Sequence, residues 1–283
     1  MKTTFIFIPT WRCNLAKCSY CDYSTKKNGN GYELTAFDKK INIGPEIQWP
    51  VWLYLLERFR PYHLDLTGGE PLCYKELPEF MAHLPVCSTW AITSNSLMGD
   101  LRKFETMNCD AWTASYHYHS DEKFFKNLEI LAEGAFGPRA TLVLSPDNIE
   151  TVKNAIERVT GLGVGVNIHP VLKQGFDWGK YPEIWDEFKA MDDGKRILFI
   201  SDIPTSFADL KWPRAQACGA GMDYFVLFPD GMVYRCYTMI LKGKPLGHIK
   251  DLVPSSEPKP CEIRCRFPCD IQVPKHEDCH NRA

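Results

Sequence analysis

The feature that most constrains this chain is a cysteine-dense loop directly after an apolar, β-prone run. Thr4–Pro9 reads as a strand, and Trp11-Arg12-Cys13-Asn14-Leu15-Ala16-Lys17-Cys18-Ser19-Tyr20-Cys21 follows it. Three thiolates so close in sequence can hold three irons of a four-iron four-sulfur cluster and leave the fourth iron open to an outside ligand. A loop at the carboxyl end of a parallel strand is also where βα folds build their active sites. A zinc site using Cys18 and Cys21 would need a second closely spaced pair, and the C-terminal cysteines are three residues apart rather than two. Buried structural thiols are the other alternative.

The rest of the chain supports a cytosolic, metal-handling reading. Twelve cysteines in 283 residues would suggest disulfides in a secreted protein, whereas a cytosolic chain of this size uses clustered cysteines for metal or redox work. The opening apolar run is too short for a signal-peptide core, and no stretch approaches the ~20 residues that span a bilayer. We therefore expect a cytoplasmic protein. Lys and Arg total 33 against 35 Asp and Glu, without a long run of either sign, so no electrostatic footprint for nucleic acid or an anionic membrane is present.

Short β-rich runs alternate with amphipathic stretches up to about residue 195, which predicts an α/β fold of βα units around a parallel sheet. The expected strands are Thr4–Pro9, His63–Thr67, Trp90–Ser94, Ala111–His117, Ala140–Ser145 and Val164–Pro170. The expected helices include Trp52–Phe59, Lys123–Gly134 and Ile149–Leu162. Six such units suit a partial (β/α)6 barrel, which we assign to residues 1–200. Residues 201–283 read as a smaller Cys-rich module with a β-hairpin, Tyr224–Phe228 turning through Pro229-Asp230-Gly231 into Met232–Cys236.

A second motif follows the second expected strand: Thr67-Gly68-Gly69-Glu70-Pro71-Leu72. Paired glycines let a backbone approach a ligand closely. With Cys18-Ser19-Tyr20-Cys21 it resembles the radical S-adenosylmethionine superfamily, whose signature is C-x3-C-x-aromatic-C after strand one and a Gly-Gly-Glu-Pro segment after strand two. The first half departs by one residue, with four between Cys13 and Cys18. The resemblance implies that Cys13, Cys18 and Cys21 ligate a 4Fe-4S cluster. It also implies that Tyr20, Gly68, Gly69, Glu70 and Pro71 lie against S-adenosylmethionine. Ser94, Asn95 and Ser115 stand where the family contacts the cofactor's ribose and carboxylate, and Asn148 and His169 occupy similar strand-end positions.

Cys218 and Cys236 fall in a C-x12-G-x4-C pattern through Gly231, which resembles the start of the superfamily's SPASM or twitch modules. That implies one auxiliary 4Fe-4S cluster, with Cys218, Cys236 and two of Cys261, Cys265, Cys269 and Cys279 as ligands. A zinc knuckle is the alternative for this tail.

The resemblance further implies that reductive cleavage of S-adenosylmethionine yields a 5′-deoxyadenosyl radical that takes a hydrogen atom from the substrate. An auxiliary cluster accepting the remaining electron would make the reaction an oxidation, with His117 or His119 as the base. An epimerase using Cys73 as hydrogen donor is the redox-neutral alternative. A non-catalytic electron-transfer or zinc-binding protein is the alternative from another class. Expected partners are a small-molecule or peptide substrate and an external reductant such as flavodoxin or ferredoxin.

Overall fold

The computed structural model describes residues 2–15, 18, 21, 23–36, 39–117, 121–171, 177–200, 218–240 and 243–260. In chain order, the first strands are β1 (Thr3–Phe7), β2 (Tyr23–Asn28), β3 (Gly31–Ala36) and β4 (Lys39–Ile43). Then come α1 (Trp49–Leu56), β5 (Tyr62–Leu66), α2 (Leu77–Ala82), β6 (Thr89–Ser94), β7 (Cys109–Tyr116) and α3 (Asp121–Glu133). They are followed by β8 (Arg139–Leu144), α4 (Ile149–Gly161), β9 (Gly165–Pro170), α5 (Pro182–Ala190) and β10 (Ile197–Phe199). The last described elements are β11 (Tyr224–Leu227), β12 (Met232–Tyr234), α6 (Tyr237–Ile240) and β13 (Gly247–His248). This is a mixed α/β fold, and all six expected strands are present, within two residues at each end.

The described residues divide into two compact units. One holds residues 2–13, 23–89 and 218–260, and the other holds the described residues of 14–22 and 90–200.

In the first unit β1 runs parallel to both β5 and β11, with Ile6 opposite Asp65 on one side and Val226 on the other. Antiparallel β12 and β13 continue the sheet beyond β11. The expected hairpin thus forms with Val226 opposite Tyr234, and its first strand is laid directly on β1. Aromatic side chains fill the space under these strands. Phe7 meets Trp52 edge-on at 5.0 Å and Phe80 at 5.6 Å, and Phe5 stacks on Phe225 at 5.7 Å. Such pairs contribute about 0.5–1.5 kcal/mol each beyond their burial.

The same unit contains a small antiparallel sheet, β2-β3-β4, that the sequence reading does not foresee. Its strands are short and mostly polar. Leu34, Ile41 and Ile43 project from one face and pack with Ile8, Trp11 and Phe228. The available signal was the Gly29-Asn30 turn between β-prone runs.

In the second unit β6, β7, β8, β9 and β10 are all parallel neighbours in that order. Burial alternates along β6 and β8 as a period-two strand requires. Trp90, Ile92, Trp112, Leu142 and Ile168 are buried on one face. On the other, Thr93, Thr113, Ser115, Thr141 and His169 remain half-buried. α3 and α4 cover the apolar face through Phe124, Leu128, Val152 and Val159.

Candidate functional site

In the first unit, the loop after β1 is fixed on both flanks before it reaches Cys13. Trp11 is buried against Phe228 at 5.4 Å, edge to face. The Arg12 guanidinium grips Glu46 through Nη2 at 2.6 Å and Nε at 3.2 Å. Nε also reaches the Thr10 hydroxyl, which itself donates to Glu46. A two-point arginine–carboxylate contact fixes direction as well as distance. Cys13, the next residue, is half-buried.

The turn after β5 lies on this loop backbone to backbone. Gly69 N–H donates to Thr10 O at 3.3 Å and Glu70 N–H donates to Arg12 O at 2.8 Å. A Cβ on Gly69 would sit 2.4 Å from Arg12 O and 2.5 Å from Trp11 O, and Gly68 adopts φ +127°. The glycine pair thus has a packing reason of its own: no side chain fits between the turn and the cysteine loop. Glu70 is 1% exposed, and its carboxylate accepts Leu72 N–H at 3.0 Å, shaping the helical turn Pro71–Cys73. Cys73 is half-buried on that turn, its N–H donating to Glu70 O.

Cys218 and Cys236 share one buried cluster with Ala220 and Met239. The arginine next to Cys236, which the sequence reading passes over, ties this region together. Arg235 Nε donates to Ala220 O at 2.6 Å, Nη2 to Cys218 O at 2.9 Å and Lys259 O at 2.6 Å, and Nη1 to Pro260 O at 3.0 Å. Residue 218 also pairs with Lys259 in an antiparallel bridge. Only the planar, five-donor guanidinium can satisfy that many carbonyls at once.

In the second unit, Cys18 Sγ lies 3.3 Å from His117 Nδ1. Cys21 is exposed, and its N–H donates to Cys18 O at 3.0 Å. Asn95 donates to the Asn14 side chain at 2.7 Å and is 4% exposed. Ser94 is buried, its hydroxyl accepting Ser96 N–H at 2.8 Å. Asn148 closes the end of β8, accepting Ser145 N–H at 2.8 Å and donating to Val143 O at 2.9 Å. Ser115 and His169 stand on the half-buried face, and burial pushes the His169 imidazole down to about 4. Burial pushes the Cys109 thiol up to about 12, consistent with a structural role.

Tyr20, His119, Cys261, Cys265, Cys269 and Cys279 lie outside the described residues. Among the described residues no three His, Cys, Asp or Glu side chains are grouped so as to hold a metal ion. Cys13 in the first unit and Cys18 and Cys21 in the second each carry a thiol, the donor type that fits an iron–sulfur cluster. No described helix is long and apolar enough to cross a membrane.

Neither a protein-family model nor a curated protein matches the chain. Solved structures do match. Streptococcus suis SuiB bound to S-adenosylmethionine superposes with a TM-score of 0.58 at 12% identity, covering 89% of this chain and 64% of that one. Hexahistidine-tagged anSMEcpe with bound AdoMet superposes with a TM-score of 0.61 at 15% identity, covering 89% of this chain and 78% of that one. The chain shares their fold. Native anSMEcpe with bound AdoMet and the Kp18Cys peptide gives a TM-score of 0.58 at 15% identity, over 88% of this chain and 78% of that one. The chain thus spans less than two thirds of the SuiB chain's length, and at these identities the likeness is one of fold.

Proposed function

We propose that this chain is a radical S-adenosylmethionine enzyme. The observation that carries the reading is the backbone coupling of two motifs at the carboxyl ends of neighbouring parallel strands. Arg12, next to Cys13 after β1, accepts the amide proton of Glu70 in Gly68-Gly69-Glu70-Pro71 after β5. The fold shared with S-adenosylmethionine-bound SuiB and anSMEcpe supports it.

Under this reading residues 1–200 form a partial (β/α)6 barrel in which Cys13, Cys18 and Cys21 hold a 4Fe-4S cluster. Tyr20, the Gly68–Pro71 turn, Ser94, Asn95, Ser115, Asn148 and His169 surround the cofactor. When bound, S-adenosylmethionine supplies a 5′-deoxyadenosyl radical for hydrogen abstraction. The chain's own part is to fix the segment next to Cys13 through the Arg12–Glu46 grip and to orient the cofactor.

We assign residues 201–283 to a SPASM or twitch-type module with one auxiliary 4Fe-4S cluster. The co-burial of Cys218 and Cys236 supports that assignment. Net oxidation of a small molecule or peptide is the reaction class it fits, with His117 or His119 taking the proton and flavodoxin or ferredoxin supplying electrons. The peptide-bound anSMEcpe structure weights the peptide side. The half-buried Cys73, on the turn directly after Glu70, keeps epimerisation as the second reading.

The test is an EPR titration of the anaerobically reconstituted, reduced protein with S-adenosylmethionine. A spectrum that changes on addition supports an open iron taking the cofactor; an unchanged spectrum contradicts it.

A further inference from the structure

We propose that His117 is a positioning residue for the first cluster: its Nδ1–H donates to the Cys18 sulfur, fixing that ligand and making the cluster easier to reduce. This rests on Cys18 being a cluster ligand, as proposed above, and deepens that reading.

The two residues are 99 positions apart in sequence yet 3.3 Å apart at Sγ and Nδ1. A cluster-bound thiolate carries no proton, so the ring nitrogen is the donor in that contact. Hydrogen bonds to cluster sulfurs withdraw negative charge and raise the reduction potential, and groups behind the ligands orient them.

The placement of His117 is built into the fold. Tyr116, its neighbour at the end of β7, is 7% exposed, meets Phe124 edge-on at 5.1 Å and donates from its hydroxyl to Asp121 at 2.6 Å. Asp121 is held in turn by Arg158 at 2.5 Å. The backbone that carries the imidazole is thereby fixed from the next residue. A ring that donates from Nδ1 is fixed in one tautomer and leaves Nε2 as its unprotonated, acceptor nitrogen.

The experiment measures the midpoint potential and iron content of the first cluster in wild type, His117→Ala and His117→Asn, the asparagine amide offering a donor close to where Nδ1 stood. The expected result is a full iron complement in all three. The alanine variant should be about tenfold harder to reduce, equivalent to about 59 mV for a one-electron couple, and the asparagine variant should recover most of the loss. An alanine variant within twofold of wild type overturns the proposal, as does an asparagine variant indistinguishable from a shifted alanine one. If the alanine variant cannot hold the cluster, recovery of iron in the asparagine variant supports the proposal and its absence overturns it. A wild-type protein that binds no four-iron cluster refutes the functional reading itself, an outcome visible before any variant is compared.

Discussion

The carbonyl oxygen of Arg12 accepts the amide proton of Glu70 at 2.8 Å, so the residue before Cys13 and the acid of the Gly-Gly-Glu-Pro turn are joined through main chain alone. Side-chain substitutions in either motif leave that bond in place unless they force the backbones apart.

Gly69→Ala does force them apart, because its Cβ would sit 2.4 Å from Arg12 O. The expected cost is about 1–3 kcal/mol, as for other insertions into filled space, with loss of iron from the proposed first cluster. Thermal unfolding and iron analysis check it; wild-type values for both would show that the turn gives way freely.

Two half-buried, strongly desolvated groups, one acidic and one basic, shape the stability of the chain against pH. Burial raises the Asp65 carboxyl from 3.8 to about 6. Its folded form holds the proton more tightly, so its contribution is complete below about pH 3.8 and lost as pH rises through 6. Burial lowers the His169 imidazole from 6.5 to about 4. Its contribution is complete above about pH 6.5 and lost as pH falls towards 4. Asp65→Asn is therefore expected to stabilise the protein at pH 7.5, by at most about 3 kcal/mol at 1.36 kcal/mol per unit, with the gain shrinking below pH 6. His169→Gln is expected to flatten the acid side of the profile. Melting curves from about pH 4.5 to 8 decide the matter, and parallel profiles for all three proteins would refute the burial argument.

Arg235 reaches the carbonyls of Cys218, Ala220, Lys259 and Pro260, and cutting those ties is expected to release the proposed auxiliary cluster. Arg235→Ala should fall from about eight irons to about four, while Arg235→Lys, with one compact ammonium in place of the fork, recovers the loss only in part. Full iron in the alanine variant would separate Arg235 from the cluster.

How far the sequence reaches depends on the range of the interaction involved. β6, β8 and the β11–β12 hairpin are legible because alternation and the Asp230-Gly231 turn are local signals. The β2-β3-β4 sheet is not, because Leu34, Ile41 and Ile43 are isolated among polar residues and acquire a core only from Ile8, Trp11 and Phe228. The pairing of β11 on β1 joins Phe7 to Leu227 across most of the chain, and no local pattern encodes it. At the site, the cysteines and glycines announce themselves by spacing. The contacts beside them, Glu46 on Arg12 next to Cys13 and His117 at 3.3 Å from Cys18, involve ordinary polar residues until the fold brings them close.

The most direct test of the central claim is dithionite-driven formation of 5′-deoxyadenosine from S-adenosylmethionine by the anaerobically reconstituted protein, compared with Cys18→Ala. The account predicts nucleoside from the wild type, none from the variant, and a loss of about four irons. Zinc in place of iron, with no nucleoside from the wild type, would contradict it.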